Sequence, residues 1–164
     1  MSSPLADCAL PLTLTNPRPP HVLAPLGASR LSAHADGLDL ILEGFLLHHG
    51  RPRLATSDDA DARLLAGDYC YARGLVRVAE AGDLGAIGAL SRLIALSSAL
   101  VAEGERETLA ALWTATARAI GEGDEARERL AVAVGRLQAG DRAPISALAS
   151  SHPETRDQLI EAMS

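Results

Sequence analysis

Apolar residues recurring at three- and four-residue steps, cut at intervals by glycine and proline, constrain this chain more than any other feature. Leu64, Leu65, Tyr69, Ala72, Leu75, Val76 and Ala79 keep that step up to Ala81-Gly82, the period of one face of an α-helix. Asp83 then stands where a helix N-cap belongs, and Ile87, Leu90, Ile94, Leu96, Leu100 and Val101 continue the period to a stop near Gly104. Upstream, a helix is predicted from near Ser32 through Leu38, Leu40, Ile41, Leu42, Phe45, Leu46 and Leu47 to Gly50-Arg51-Pro52, where glycine and then proline end it. This helix is apolar around most of its circumference, which fits a central element. Ser57 is the expected N-cap of the next helix, with Asp58, Asp59 and Asp61 in a first turn where the helix dipole favours negative charge. A fourth helix is predicted over residues 105–120 and a fifth over 124–139, with short ones after Pro144 and from Ser151-His152-Pro153. Short loops between them imply antiparallel neighbours, so the expected fold is an all-α, antiparallel helical bundle.

Composition agrees with that class. Phe45, Tyr69, Tyr71 and Trp113 are the only aromatic residues among 164; the remaining apolar content, Ala, Leu, Val and Ile, suits close helix packing. The length is that of one domain. Six of the nine prolines fall between Pro4 and Pro25, so residues 1–28 read as a flexible tail and 29–164 as the folded domain. A net charge of −6 gives no electrostatic case for nucleic acid, because phosphate binding needs a surplus of Lys and Arg on some face. Cys8 and Cys70 support neither a disulfide framework nor a zinc site; Cys70 reads as a small buried hydrophobe. No signal peptide is expected. The most apolar stretch, Leu84 to Val101, is interrupted by Gly85, Gly88, Ser91 and Arg92 and is not expected to span a membrane, which needs roughly 18 uninterrupted apolar residues. A cytoplasmic location follows as the expectation.

Gly50-Arg51-Pro52 and Leu64-Leu65-Ala66-Gly67-Asp68-Tyr69 stand in a fixed register, 68 − 50 = 18. Together they resemble the centre of a trans-isoprenyl (polyprenyl) diphosphate synthase, where an R-R-G-R-P turn precedes an L-A-G-D-Y/F-L helix. Ala102-Glu103-Gly104-Glu105 is similar to the end of that family's following helix. The resemblance covers roughly residues 39–138 and implies a truncated isoprenoid-synthase-like fold, since family members are about twice as long.

The family ionises an allylic diphosphate with magnesium ions held by two aspartate-rich motifs, and this chain departs from both. The first aligns with Asp39-Leu40-Ile41-Leu42-Glu43, in which only the outer carboxylates remain. Four residues apart, these share one helix face; they form either a vestigial metal pair or, as expected here, a solvated stripe. The second aligns with Leu137-Gln138-Ala139-Gly140-Asp141-Arg142, leaving Asp141. His48 and His49 replace the turn's arginines and are expected to cap the helix end, where histidine suits the dipole. Asn16-Pro17-Arg18-Pro19 stands where the family carries a basic isopentenyl-diphosphate site, and Thr108 where it carries a lysine. Asp68 is expected in a hydrogen-bonded framework role and Trp113 in the core.

What the resemblance implies is a small subunit of a heterodimeric polyprenyl diphosphate synthase: no catalytic residue or cofactor of its own, Mg2+ in the full-length partner subunit, and an effect on product length, with menaquinone side-chain supply as the usual setting. Self-association is the other pairing. The expected interface residues are Leu64, Tyr71, Leu75, Leu90 and Leu93, on the two helices that form the family's dimer contact. Two alternatives stand beside this reading: a minimal magnesium-dependent prenyltransferase using Asp39, Glu43 and Asp141, and a helical scaffold or isoprenoid-binding protein without catalysis.

Overall fold

The structure, a computed structural model, describes residues 5–23, 26 and 29–164, the side chains of 29–32 excepted. Among these residues the chain forms α1 (Ser29–His49), α2 (Ala60–Glu80), α3 (Leu84–Ala102), α4 (Arg106–Glu122), α5 (Asp124–Gln138), α6 (Ala143–Ala149) and α7 (Pro153–Ala162). The only sheet among them pairs β1 (Thr13–Leu14) with β2 (Ala55–Thr56), antiparallel, Thr13 opposite Thr56 and Leu14 opposite Ala55. The all-α bundle expected from the apolar period is the architecture observed.

Local chemistry sets the helix ends. Asp83 caps α3 as expected, its carboxylate accepting from the Ala86 N–H at 3.0 Å. At α2 the cap is Asp59, which accepts from the N–H groups of Asp61 and Ala62 at 2.9 and 3.2 Å. Ser57 is not that cap. Its hydroxyl donates to the Pro11 carbonyl at 3.0 Å and accepts from Asp59 N–H at 3.2 Å, tying the loop to the N-terminal segment instead. α2 and α3 stop at Gly82 and Gly104, whose φ angles of +77° and +73° are strained for any residue with a Cβ.

Two helices occupy the centre. α1 is buried at every position from Gly37 to Leu47, as its apolar circumference implied. α4 is buried at every position from Thr108 to Ala117 and packs on α1, α3, α5, α6 and α7. Alanine and threonine supply most of that stretch, and small side chains let five helices approach it. Its polar groups are satisfied internally: Thr114 donates to the Ala110 carbonyl at 2.8 Å, and the Trp113 indole N–H donates to Ser97 Oγ at 3.1 Å. Trp113 is fully buried, its ring 5.6 Å from that of Phe45.

α1 and α2 cross at glycines. A Cβ placed on Gly74 would lie 2.6 Å from Ile41 Cγ1 and 2.7 Å from the Gly37 carbonyl oxygen. One on Gly44 would lie 2.9 Å from the Gly67 carbonyl oxygen, and one on Gly67 would overlap the His48 ring. The spacing is the same on both helices, 44 − 37 = 7 and 74 − 67 = 7, so two glycine pairs meet two turns apart on antiparallel helices. Close approach multiplies van der Waals contact between backbones.

Residues 5–23, expected to belong to a loose tail, lie packed against this pair. Leu5 is 1% exposed and joins Leu40, Leu47, Leu54, Ala66 and Cys70 in a small second core; Thr15 N–H donates to the Leu54 carbonyl at 2.9 Å. Proline excludes helix here but not extended packing, and the intervening leucines supply the apolar contact. The rest of the expected tail, residues 1–4, 24, 25, 27 and 28, lies outside the described residues.

The helix expected from Asp83 to Gly104 is observed, Gly85, Gly88, Ser91 and Arg92 included. α3 runs unbroken for 19 residues and, by length and composition alone, matches a membrane-crossing helix; a third of it is buried. Glycine and serine weaken an isolated helix by about 1 kcal/mol or less each, which packing on α2, α4 and α5 offsets.

Candidate functional site

The acid pair of α1 is enclosed, not solvated. Asp39 is 3% exposed and Glu43 fully buried, which corrects the expected solvated stripe: the N-terminal segment and the loop after α1 cover that face. Arg53, on this loop, donates from Nη1 to Asp39 Oδ1 at 3.0 Å, and Arg18, from the N-terminal segment, donates from Nη2 to Asp39 Oδ2 at 3.0 Å. Arg18 also reaches Asp36 at 3.0 Å, and His21 stands 3.4 Å from Asp39. Burial works against the charge on Arg18, yet its hydrogen bonds to Asp39 and Asp36 leave its pKa above the ordinary value.

Glu43 accepts from backbone alone. The N–H of Arg53 lies 2.9 Å from each carboxylate oxygen, and Leu54 and Ala55 donate to Oε1 at 2.8 and 3.2 Å. Three successive N–H groups thus converge on one buried side chain, which fixes the loop and presents Ala55 to β1. Burial pushes the Glu43 carboxyl above the usual carboxylate range, against the pull of those N–H groups and of Arg53.

These donors decide what the pair can hold. Magnesium binds hard oxygens with free lone pairs in octahedral array. Both oxygens of Asp39 meet guanidinium groups and both of Glu43 meet backbone N–H, so the pair as arranged does not fit the ion. Asp141 stands elsewhere, 2.6 Å from Arg136 and accepting from Ala143 N–H at 3.1 Å. Among the described residues no three His, Cys, Asp or Glu side chains gather into a ligand set, so Asp39, Glu43 and Asp141 are not brought together.

The other residues singled out by sequence divide in two. Trp113 and Cys70 are core, and burial raises the Cys70 thiol far above its ordinary pKa. Thr108 is buried and donates to Glu105 at 3.1 Å. Asp68 is not a framework residue: its side chain is 68% exposed, 3.3 Å from His48 Nε2. His48 stacks on Tyr71 at 5.5 Å. Partial burial, with His48 beside it, lowers the His49 pKa, which works against a cation at the helix end.

Of the five expected interface residues, Leu64 is 54% exposed and Tyr71 and Leu75 are half-buried, whereas Leu90 and Leu93 are 0% and 2% exposed. The last two therefore belong to this chain's own core, because the inward face of α3 is the one bearing its larger leucines. The exposed large apolar side chains among the described residues are Leu64, Leu65 and Val76 on α2, Leu84 on α3, Val132 on α5 and Leu14 on β1. Two open clefts flank the bundle: one of about 370 Å³ beside Pro20, Arg51, Arg53 and Glu161, and one of about 540 Å³ between α3 and α5, lined by Leu96, Ala99, Leu137 and Gln138.

Sequence reasoning missed the enclosing arginines and the glycine pairs. Four glycines at a seven-residue spacing on successive helices were a readable signal; the pairing of Arg18 and Arg53 with Asp39, 21 and 14 residues distant, was not. No family model, curated protein or solved structure matches the chain.

Proposed function

We propose that this chain is a non-catalytic subunit of a heteromeric polyprenyl diphosphate synthase, acting in the cytoplasm to support the activity and product length of a full-length, Mg2+-binding partner. The observation that carries it is α2, which exposes Leu64, Leu65 and Val76 beside the exposed Leu84 of the neighbouring α3. Uncovered apolar area of this kind marks a surface completed by another molecule. The register of Gly50-Arg51-Pro52 with Leu64 to Tyr69 supplies the class of partner by resemblance, and the occupation of Asp39 and Glu43 by internal donors argues against turnover by the chain alone.

The test is prenyl transfer from isopentenyl diphosphate and an allylic primer with magnesium, run with this chain, with the full-length synthase of the same genome, and with the mixture. Activity or an altered product length confined to the mixture is the expected result; turnover by the chain alone, or a mixture indistinguishable from the synthase, would sink the proposal. Leu64→Glu is expected to abolish the effect while leaving helicity intact. Leu90→Glu is expected to unfold the chain, because it places a charge in the core; circular dichroism separates the two.

A further inference from the structure

The chain's two cysteines are far apart in sequence, 70 − 8 = 62, and the fold brings them to one place. Both belong to the small second core between the N-terminal segment, α1, α2 and the loop that joins these helices, and the larger core contains neither. Cys8 is half-buried on the N-terminal segment, in a turn that its N–H closes by donating to the Leu5 carbonyl at 3.0 Å. Cys70 is fully buried on α2, between Gly67 and Gly74, the positions that seat this helix on α1. The other side chains of the small core are Leu, Ala and Tyr, so the two thiols share it with no competing nucleophile. Burial, and after it the nearness of Glu43 and Cys8, hold the Cys70 thiol far above its ordinary pKa. The two thiols therefore differ in access: a reagent in solution reaches Cys8 and is shut out from Cys70. A disulfide sets its Cβ atoms about 4 Å apart, and here one partner stands on a turn, which adjusts, while the other is fixed on a packed helix.

We infer that Cys8 and Cys70 form a reversible dithiol–disulfide site, oxidised by small disulfides of the glutathione class, that fastens the N-terminal segment to α2. In the first step the Cys8 sulfur, as its thiolate, attacks one sulfur of glutathione disulfide. A bond from Cys8 to glutathione forms, the bond between the two glutathione sulfurs breaks, and one glutathione leaves with the proton that Cys8 gave up. In the second step the Cys70 sulfur attacks the Cys8 sulfur, and the other glutathione leaves with the Cys70 proton. Two electrons and two protons thus pass from the cysteine pair to glutathione disulfide. The burial of Cys70 makes the second step the slower one. The bridge ties down the segment whose Arg18 covers Asp39. In the cytoplasmic setting proposed above, disulfides form transiently and serve redox sensing.

The wild type, Cys8→Ser and Cys70→Ala are treated with glutathione disulfide in native buffer, and intact mass, a non-reducing gel and amide hydrogen exchange are read. The wild type is expected to lose two hydrogens, retain no glutathione, run as a single chain and return to its starting mass with dithiothreitol. Cys70→Ala is expected to keep one glutathione on Cys8, because nothing resolves it, and Cys8→Ser to keep its mass, because Cys70 is out of reach. The Thr15 N–H, which donates to the Leu54 carbonyl, should exchange about tenfold more slowly or better in the oxidised wild type, since the cross-link removes open conformations. A wild type that stays reduced, that keeps glutathione on Cys8 without closing, that cross-links between chains, or that bridges only in urea would each overturn the inference, as would a bridge that leaves Thr15 exchange unchanged. Cys8→Ser, at a half-exposed position, and the wild type decide the matter whether or not Cys70→Ala folds.

Discussion

Replacing Glu43 with alanine is expected to lower the stability of the fold by about 3–5 kcal/mol, the range for removing one partner of a buried charged network. The magnitude follows from what the change leaves behind. The N–H groups of Arg53, Leu54 and Ala55 lose their acceptor, and two of those three residues are almost wholly buried, Leu54 at 1% and Ala55 at 0%, so water does not readily replace the carboxylate. Arg53 is held to Asp39 from the same loop, so the loss also loosens the cover of the second acid. Since a domain of this size has a margin of roughly 5–15 kcal/mol, the variant should unfold at clearly lower urea concentration, or be partly unfolded without it. A midpoint shift worth less than about 1 kcal/mol would show that the loop finds other acceptors, since that is the scale of a single ordinary hydrogen bond.

Glu43→Gln separates charge from shape, and its effect depends on pH. A carboxyl whose pKa is raised on folding contributes stability that is full below its unfolded value and is lost as pH rises through the folded value. The advantage of wild type over Glu43→Gln should therefore be largest in acid and shrink as pH climbs from the ordinary carboxylate range through the elevated pKa of Glu43. Urea midpoints of the two proteins across that range give the sign. An advantage that grows with pH would mean that the three N–H groups and Arg53 outweigh burial.

The second large effect is Gly74→Ala, expected to destabilise by about 2–3 kcal/mol through overpacking. Alanine is the better helix former by about 1 kcal/mol, and at most exposed sites that preference wins. Here the new methyl group would meet the Gly37 carbonyl oxygen at 2.7 Å, and a backbone atom on the opposite helix moves only if α1 and α2 separate along their length. Gly135→Ala on α5 is the control: a Cβ there meets nothing within 4 Å, so the same substitution should stabilise by about 0.5–1 kcal/mol. Thermal or urea unfolding of the pair gives opposite signs. A stabilised Gly74→Ala would show that the helix crossing is looser than its geometry implies.

Much of the architecture was legible in residue order. Seven helices with glycine and proline stops, Asp83 as a cap, and Trp113 and Cys70 as core all depend on chemistry within a few residues, where spacing along the chain is spacing in space. The errors share the opposite property. Ser57 had the right residue type for a cap, but the Pro11 carbonyl on a distant segment engages it and Asp59 takes the place. The prolines before Pro25 ruled out a helix and said nothing of Leu5, which packs against Leu40 and Leu54. Leu90 and Leu93 belonged to an apolar helix, and only the positions of α2, α4 and α5 decide which of its faces is inward.

The candidate site shows the same division. Sequence alone determined that Asp39 and Glu43 share one face of an apolar helix, because a four-residue step is a local fact of helical geometry. Whether that face met water, metal or protein was decided by tertiary structure, which brought Arg18 from one side and the N–H groups of residues 53–55 from the other. A carboxylate has no preference among these donors that its neighbours in sequence can express. Its state is set by whichever donors the fold places within hydrogen-bond reach, and those come from segments that only folding makes adjacent.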